Sequence, residues 1–306
     1  MRFLQFVAIG LCSVGFAGCS LKPVNHHSPQ QLAIEIVAPL PDSVHETSGL
    51  AYAGNYLWTM NDSGNAPALF AFRRDGRAFV KKVLLANAEN TDWESLAANS
   101  THLFVADCGN NYNTRQTFSL YAVSIASLVA ATNGGHAASK RIRFRYSDLT
   151  DSLPSRNTNH DCEAMTVVDN QLWLFSKDWG DQQTRLYLLD PTMPDQTLDP
   201  VMTLPVNGLI TAADFNPATG QLALLGYVNP GLFGSSFVWV MQLSGQPDDL
   251  RPDWTSAVRY ELAPHSQWEA ILWESPTSLL LTTEKNPMTP QQLGRISLPI
   301  APSSGQ

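Results

Sequence analysis

The sequence predicts an all-β fold, a five-bladed β-propeller closed by an N-terminal strand. The first observation is a repeat in which an acidic residue opens a short apolar run, and 13 to 16 residues later a polar turn follows the next run. The second is that the runs have strand length and are separated by turns rich in Gly, Pro, Asn and Asp. Copies at this spacing are typical of arrays in which each unit buries its apolar faces against its neighbours. The openings are Glu46, Glu94, Glu163, Asp214 and Glu269, and the closings are Asp62, Asp107, Asp178, Tyr227 and Glu284.

Each repeat is predicted to contain four strands. The first four repeats extend over residues 48–85, 95–146, 164–204 and 210–262, and the second includes an insertion of small residues at 126–139. The fifth repeat, over residues 269–298, supplies only three strand-like runs. It therefore lacks its outer strand.

The N-terminal run Gln31–Leu40 (QLAIEIVAPL) is the candidate for the missing strand. Pairing this run with the fifth repeat would close the ring with hydrogen bonds and protect open sheet edges. Six blades are the alternative, if the 69-residue interval from Glu94 to Glu163 contains a further hairpin.

The first residues have the pattern of a secretory signal. Arg2 gives a basic start, an apolar run extends from Phe3 to Phe16, and small residues precede Cys19. The segment FAGC resembles a bacterial lipobox, which implies lipidation of Cys19; ordinary cleavage without a lipid is the alternative. The predicted organisation is a signal peptide at 1–18, the lipidated Cys19 with a tether to residue 31, a single propeller domain at 32–300 and a tail at 301–306.

These features predict an exported protein that is lipid-anchored to a bacterial envelope membrane, on the periplasmic side or at the cell surface. The formal net charge is -8, and removal of Arg2 with the signal makes it -9. A net negative surface argues against nucleic acid as a partner. The expected partners are an unidentified ligand or an envelope protein, and the chain is expected to be a monomer.

Two cysteines, Cys108 and Cys162, lie beyond the signal peptide and Cys19. They follow and precede predicted strands of neighbouring blades, at the same end of each blade. In an exported protein this placement predicts a disulfide that closes a loop of 54 residues. Two separate thiols are the alternative.

The acidic openings and polar closings predict the location of a functional site. In an antiparallel blade the start of the first strand lies beside the end of the second, so both should lie at one mouth of the central channel. The candidate ligand-binding residues at this mouth are Glu46, Asp62, Asp92, Glu94, Asp107, Asp161, Glu163, Asp178, Asp214, Glu269 and Glu284.

So many carboxylates near one axis cannot all be ionised and unpaired. A bound cation is one solution, and oxygen ligands favour calcium as the cofactor. The candidate metal ligands are the five openings, Glu46, Glu94, Glu163, Asp214 and Glu269. The alternative is structural, with each acid accepting hydrogen bonds from a neighbouring blade.

Catalytic motifs are lacking: the sequence contains no Gly-x-Ser-x-Gly, His-Glu-x-x-His or P-loop. Trp93 and Trp268 flank two of the acids and are candidates for stacking on a sugar or other ring. Burial between blades is the competing prediction for such large side chains.

The segments NDSGN (61–65), DWESLA (92–97), DCGNN (107–111), HDCEAM (160–165) and ITAADF (210–215) resemble those of an uncharacterised family of exported bacterial β-propeller proteins. More distantly, the chain resembles the phytase-like propellers, which implies acidic channel residues that hold calcium and bind phosphate. The basic phosphate-binding residues of those enzymes have no counterpart here.

The function expected from these observations is an envelope-anchored propeller that binds a ligand or partner through an acidic, aromatic face, with calcium as the candidate cofactor. A metal-dependent hydrolase of phosphoesters or glycans, using channel carboxylates, is one alternative. A structural envelope protein is another.

Overall fold

The computed structural model describes residues 30–149, 154–229, 234–246 and 249–299. The predicted signal, Cys19, most of the tether and the tail at 301–306 lie outside these residues. Strands dominate the described residues, and none of their helices has the length and apolar character needed to cross a membrane.

The strands form five antiparallel meanders of four strands each, and the fourth strand of the last meander comes from the N-terminal segment. The N-terminal strands are β1 (Gln30–Ala33) and β2 (Glu35–Pro39). The first meander comprises β3 (Thr47–Ala53), β4 (Tyr56–Asn61), β5 (Ala68–Arg73) and β6 (Phe79–Ala86). The second comprises β7 (Trp93–Ala98), β8 (His102–Asp107), β9 (Phe118–Ser124) and β10 (His136–Tyr146), with helix α1 (Ile125–Ala130) before β10.

The third meander comprises β11 (Asp161–Val168), β12 (Gln171–Lys177), β13 (Thr184–Leu189) and β15 (Pro200–Leu204), with the short strand β14 (Asp195–Leu198) before β15. The fourth comprises β16 (Leu209–Asn216), β17 (Gln221–Val228), β18 (Ser235–Ser244) and β20 (Val258–Ala263), with β19 (Arg251–Pro252) and a 3-10 turn (Trp254–Ser256) before β20. The fifth comprises β21 (Trp268–Ser275), β22 (Ser278–Thr283), β23 (Gln292–Ser297) and the N-terminal strand β2.

The inner strands of the meanders contact one another in a closed order, β3, β7, β11, β16, β21 and back to β3. The prediction of an all-β propeller is therefore confirmed. In the described part of the chain the core divides into five clusters, one between each pair of neighbouring meanders. Each buried Leu, Ile or Phe contributes about 1.5–3 kcal/mol through its removal from water.

The N-terminal closure is confirmed, with one correction. Strand β2 pairs antiparallel with β23, with Glu35 opposite Arg295. The run Gln31–Leu40 is not one strand, however, because β1 pairs in parallel with β20 of the fourth meander, with Gln30 opposite Tyr260. A single N-terminal segment therefore joins the fourth and fifth meanders.

The insertion of small residues at 126–139 contributes a helix and part of a strand. It forms α1 and the start of β10, which pairs in parallel with β6. Strand β14 in turn pairs in parallel with β10. Residues 95–149 and 154–160 contain no further meander. These pairings join the outer edges of the first three meanders and leave fewer free strand edges.

Each inner strand has a register shift near its start. The shifts fall between Thr47 and Leu50 and between four further pairs, Trp93/Ser95, Cys162/Ala164, Ile210/Ala212 and Trp268/Ala270. A β-bulge of this kind redirects the side chain of the extra residue. The residues at the shifts are Ser48 with Gly49, Glu94, Glu163, Thr211 and Glu269. These residues therefore occupy structurally equivalent positions in the five repeats.

Candidate metal centre

Three of the predicted openings occupy equivalent bulge positions, Glu94 on β7, Glu163 on β11 and Glu269 on β21. Their exposed fractions are only 5%, 3% and 8%. We call the end of the ring at which these three residues lie the acidic mouth. In the first and fourth meanders the hydroxyls of Ser48 and Thr211 replace the acid, and they donate hydrogen bonds to the carbonyl oxygens of Trp93 and Trp268 at 2.9 and 3.0 Å.

The expectation that all five openings share one mouth is wrong for Asp214. It comes three residues after the bulge on β16, so it lies at the opposite end of the ring. Its Oδ2 accepts a hydrogen bond from the Trp273 amide at 2.7 Å. Asp214 lines a cavity of about 360 Å³ with Ala51 and Ala97, which belong to the second halves of β3 and β7.

Glu46 lies just before β3, two residues ahead of the bulge. Its Oε2 accepts a hydrogen bond from Asn65 Nδ2 at 2.6 Å and lies 3.4 Å from His45 Nε2. The side chain is 43% exposed, so it differs from the buried glutamates. Glu46 is therefore a partly exposed residue whose contacts are with Asn65 and His45.

Glu163 is paired with a buried lysine. Lys177 Nζ lies 3.1 Å from Glu163 Oε1, and its ammonium is 5.2 Å from the ring centroid of Trp179. Burial lowers the pKa of Lys177, but the charges of Glu163, Tyr227 and Glu269 outweigh this effect and hold the pKa well above its usual value. Lys177 is therefore an ammonium ion, and it compensates one of the central carboxylates.

Three further predicted acids have protein partners in the surrounding loops. Asp107 forms an ion pair with Arg115 at 3.0 Å, and Asp178 forms one with Arg185. Asp161 accepts hydrogen bonds from the amide of Asn110 at 2.6 Å and from Nε1 of Trp179 at 2.9 Å. These contacts support the structural role predicted as the alternative.

Asp62, Asp92 and Glu94 form a different kind of cluster, which we call the carboxylate triad. One oxygen atom from each lies within 4.8 Å of the other two. Among the described residues, no basic side chain forms an ion pair with any of the three. Glu94 Oε1 is inaccessible to solvent and has no hydrogen-bond partner.

The pKa values of the triad are raised because the charges lie close together in a buried place. Burial raises the pKa of Asp62 to about 6. Burial, and then the neighbouring charge of Asp62, raises the pKa of Asp92 to about 7. For Glu94, burial followed by the charges of Glu163 and Asp62 holds the pKa well above its usual range. The carboxyl groups of the triad therefore keep their protons to a higher pH than ordinary carboxyl groups do.

Glu269 and Glu284 extend the acidic region beyond the triad. Burial raises the pKa of Glu269 to about 7. Burial and the charge of Glu269 raise the pKa of Glu284 to about 9. Glu284 therefore carries a proton at neutral pH.

The backbone of Gly109 lies directly against the triad. A Cβ atom at this position would clash with Glu94 Oε1 and Asp92 Oδ2. The amides of Cys108 and Gly109 both donate to the carbonyl oxygen of Asp92, at 3.0 and 3.1 Å. Gly109 is not among the candidate residues that the sequence predicts, although it lies in the DCGNN segment.

A disulfide joins Cys108 to Cys162, with a Cα–Cα distance of 5.2 Å, as predicted. Cys108 immediately precedes Gly109, and Cys162 immediately precedes Glu163. The bond therefore connects the end of β8 to the start of β11 beside the acidic region.

The triad has the chemistry of a hard-cation site. All its donors are carboxylate oxygens, which calcium and magnesium prefer. Two oxygens that each lie about 2.4 Å from one calcium ion can be up to about 4.8 Å apart, so the observed spacing suits a single ion. Asp62 and Asp92 are only half-buried, and an ion held by three side chains would keep further coordination positions for water or a ligand.

The tryptophans beside the acids are mostly unavailable for stacking. Trp93 and Trp268 are 0% and 1% exposed, as the burial alternative predicted. Their indole N–H groups donate to the carbonyl oxygens of Glu89 and Pro264. Trp179 differs, because its side chain is partly exposed at the acidic mouth.

No family model matches the sequence, and no curated protein matches it. Among solved structures, the chain is similar to an aldose sugar dehydrogenase from Streptomyces coelicolor, with a TM-score of 0.43 and 12% identity over 88% of this chain and 99% of that one. It is also similar to the Cps50 (Swd1) β-propeller domain of Myceliophteria thermophila, with a TM-score of 0.42 and 10% identity over 87% and 100% of the two chains.

A third similar structure is the GH32 β-fructofuranosidase BmSUC1 of Bombyx mori, with a TM-score of 0.43 and 9% identity. The match covers 87% of this chain and 61% of that chain, which is less than two thirds of its length. These likenesses concern overall architecture, and at such low identity they carry no information on activity.

Proposed function

We propose that the protein is a ligand-binding propeller that holds a divalent hard cation, calcium, in the carboxylate triad. The observation that carries the proposal is the buried, unpartnered Oε1 of Glu94, which shares its surroundings with the carboxylates of Asp62 and Asp92. An unpaired buried carboxylate is costly, whereas a bound cation would satisfy all three groups together.

Protons are the competing way to neutralise the triad. With pKa values of about 6 and 7, Asp62 and Asp92 are partly or largely ionised at neutral pH, so protons alone leave negative charge in the cluster. A cation that displaces the remaining protons should bind more tightly as the pH rises. This pH dependence distinguishes a real cation site from a cluster that is simply protonated.

The cation would also recruit the ligand. Its remaining coordination positions would suit oxygen donors such as carboxylate, phosphate or vicinal hydroxyl groups. We further propose that the chain performs this role in the exported, lipid-anchored setting that its N-terminal residues predict. Extracellular calcium modules bind with dissociation constants of about 10⁻⁴ to 10⁻³ M, and this range sets the expected affinity.

Isothermal titration of the purified protein with calcium tests the proposal. We expect one site, at least about tenfold weaker binding in D62N and E94Q, and unchanged binding in D214N, a matched carboxylate-to-amide change at the opposite mouth. Failure of the wild-type protein to bind calcium at about 1 mM would contradict the proposal. Equal loss in E94Q and D214N would also contradict it.

Cation-dependent hydrolysis is the second candidate, favoured by the protonated Glu284 near the cation site. A carboxylic acid with a pKa of about 9 can donate a proton to a leaving group at neutral pH. A panel of nitrophenyl phosphates and glycosides, assayed with calcium and with EDTA, tests this candidate. Hydrolysis that requires calcium and is lost in E284Q would support it, and the absence of turnover would exclude these substrates.

A further inference from the structure

We propose that a small cavity beside the triad is a subsite for an acidic sugar, meaning a sugar ring that carries a carboxylate or phosphate. The cavity has a volume of about 170 Å³ and is lined by Asn111, Tyr112, Arg156 and Trp179. At about 30 Å³ per water molecule, this volume equals five or six waters, which is enough for one ring. This subsite rests on the proposed function in one respect, which is that the cation would bind an oxygen donor of the same ligand.

Arg156 supplies a positive charge at the lining of this cavity. Its guanidinium lies 4.8 Å from the ring centroid of Tyr112, and Nη2 donates a hydrogen bond to the Tyr112 hydroxyl at 2.6 Å. Within the described ranges no carboxylate forms an ion pair with it. An exposed guanidinium that is held by a tyrosine can bind an oxyanion through two parallel hydrogen bonds.

Aromatic side chains supply the surface for the ring. Tyr112 is 54% exposed, and Trp179, which also lines the cavity, is partly exposed. Asp161 Oδ2 accepts the indole N–H of Trp179 at 2.9 Å, which fixes the orientation of the indole. Flat aromatic faces pack well on the C–H faces of sugars, while the Asn111 amide is suited to hydroxyl groups.

The three loops that form the cavity are fixed to one another by hydrogen bonds. The backbone amide of Ser155 donates to the carbonyl oxygen of Tyr112 at 3.0 Å. The backbone amide of Trp179 donates to the carbonyl oxygen of Thr158 at 2.8 Å. The backbone N–H of Asn110, which is next to the lining residue Asn111, donates a hydrogen bond to Asp161 Oδ1 at 2.6 Å. The subsite is therefore preformed, which lowers the entropy cost of binding.

The subsite lies within reach of the triad. Gly109 contacts Asp92 and Glu94, and Asn111 is only two residues further along the chain, a distance of at most about 7 Å between Cα atoms. One ligand can therefore place its ring in the cavity and an oxygen donor on the cation. Arg156 and the cation together supply the positive charge that an acidic ligand needs at this otherwise acidic mouth.

Titrations with glucuronate, glucose 6-phosphate and glucose test the subsite, each with saturating calcium and with EDTA. We expect both acidic sugars to bind at least about tenfold more tightly than glucose. R156Q and Y112A should lose at least about tenfold in acidic-sugar affinity while their calcium affinity stays unchanged. The control R77Q changes an exposed arginine in the turn between β5 and β6, and it should bind like the wild-type protein.

The outcomes separate this proposal from the proposed function. If calcium binds but neither acidic sugar does, or if R156Q binds these sugars as tightly as the wild-type protein, the subsite proposal is wrong. If calcium does not bind but the acidic sugars bind in an Arg156-dependent way, the subsite is supported and the cation proposal fails.

Discussion

Lys177 places a positive charge among buried carboxylates at the acidic mouth. Its side chain is 7% exposed and that of its partner Glu163 is 4% exposed, so both charges have lost most of their hydration. Such a pair is tolerated only while both members are present, because removal of one leaves the other charge uncompensated.

We therefore expect K177M to lower the free energy of unfolding by about 3–5 kcal/mol, measured by urea denaturation in EDTA. The double variant E163Q/K177M should lose less than the sum of the two single variants, because it leaves no unpaired charge from this pair. If K177M has the same urea midpoint of unfolding as the wild-type protein, the ion pair contributes little to stability.

Among individual residues, the acids can be predicted from the sequence better than their partners can. Asp62, Asp92 and Glu94 were all among the candidate ligand-binding residues, but only Glu94 was a candidate metal ligand. Asp214 was misplaced because the bulge near the start of each inner strand is not visible as a spacing in the sequence. Arg156 was missed because it belongs to an irregular loop, with no repeat to identify it.

At the scale of elements, the disulfide connects β8 and β11 at the positions that flank Gly109 and Glu163. It closes a loop of 54 residues between neighbouring meanders. Loss of such a bond removes a constraint on the unfolded chain and also releases the backbone that contacts the triad.

The double variant C108S/C162S should be less stable by about 2–5 kcal/mol, measured by denaturation under otherwise identical conditions. Its calcium affinity should fall as well, because Gly109 is then held less firmly against Asp92 and Glu94. If stability falls while calcium affinity is unchanged in the folded variant, the disulfide has no role in positioning the site.

Strand β2 allows a matched test of the closure. Val37 is 6% exposed and packs in the cluster between the first and fifth meanders, whereas the adjacent Ile36 is 44% exposed. V37D places a charge in this cluster and should lower the free energy of unfolding by more than about 3 kcal/mol. I36D should change it by less than about 0.5 kcal/mol. Equal effects in a denaturation experiment would contradict the observed pairing of β2.

Strands and helices are predicted well where the sequence repeats, and less well where it does not repeat. The four-strand pattern of the meanders follows from apolar runs between turn residues, and the repetition reinforces each assignment. The division of Gln31–Leu40 into two strands depends on pairing with distant partners, so local sequence does not indicate it. Helix α1 has six residues, too few for a helical period to stand out.

At the scale of the whole molecule, the raised pKa values make stability depend on pH. The pKa values are about 6 for Asp62, about 7 for Asp92 and about 7 for Glu269, and those of unfolded Asp and Glu are about 4. Between about pH 4 and 7 the folded state therefore binds more protons than the unfolded state. The free energy of unfolding should fall as the pH rises through this window.

We expect the melting temperature in EDTA to decrease from about pH 5 to about pH 8. The increase that calcium produces should be larger at the upper end of this range, because the ionised triad binds the cation more strongly. Differential scanning calorimetry at several pH values measures both effects. A melting temperature in EDTA that rises over this interval would contradict the assignment of raised pKa values.

A crystal structure determined with calcium present tests the central claim, that the carboxylate triad binds a cation, most directly. The account predicts an electron-density peak bonded to oxygens of Asp62, Asp92 and Glu94 at about 2.3–2.6 Å. Ordered carboxylates with only water or direct hydrogen bonds between them, at a calcium concentration well above the expected dissociation constant, would contradict it.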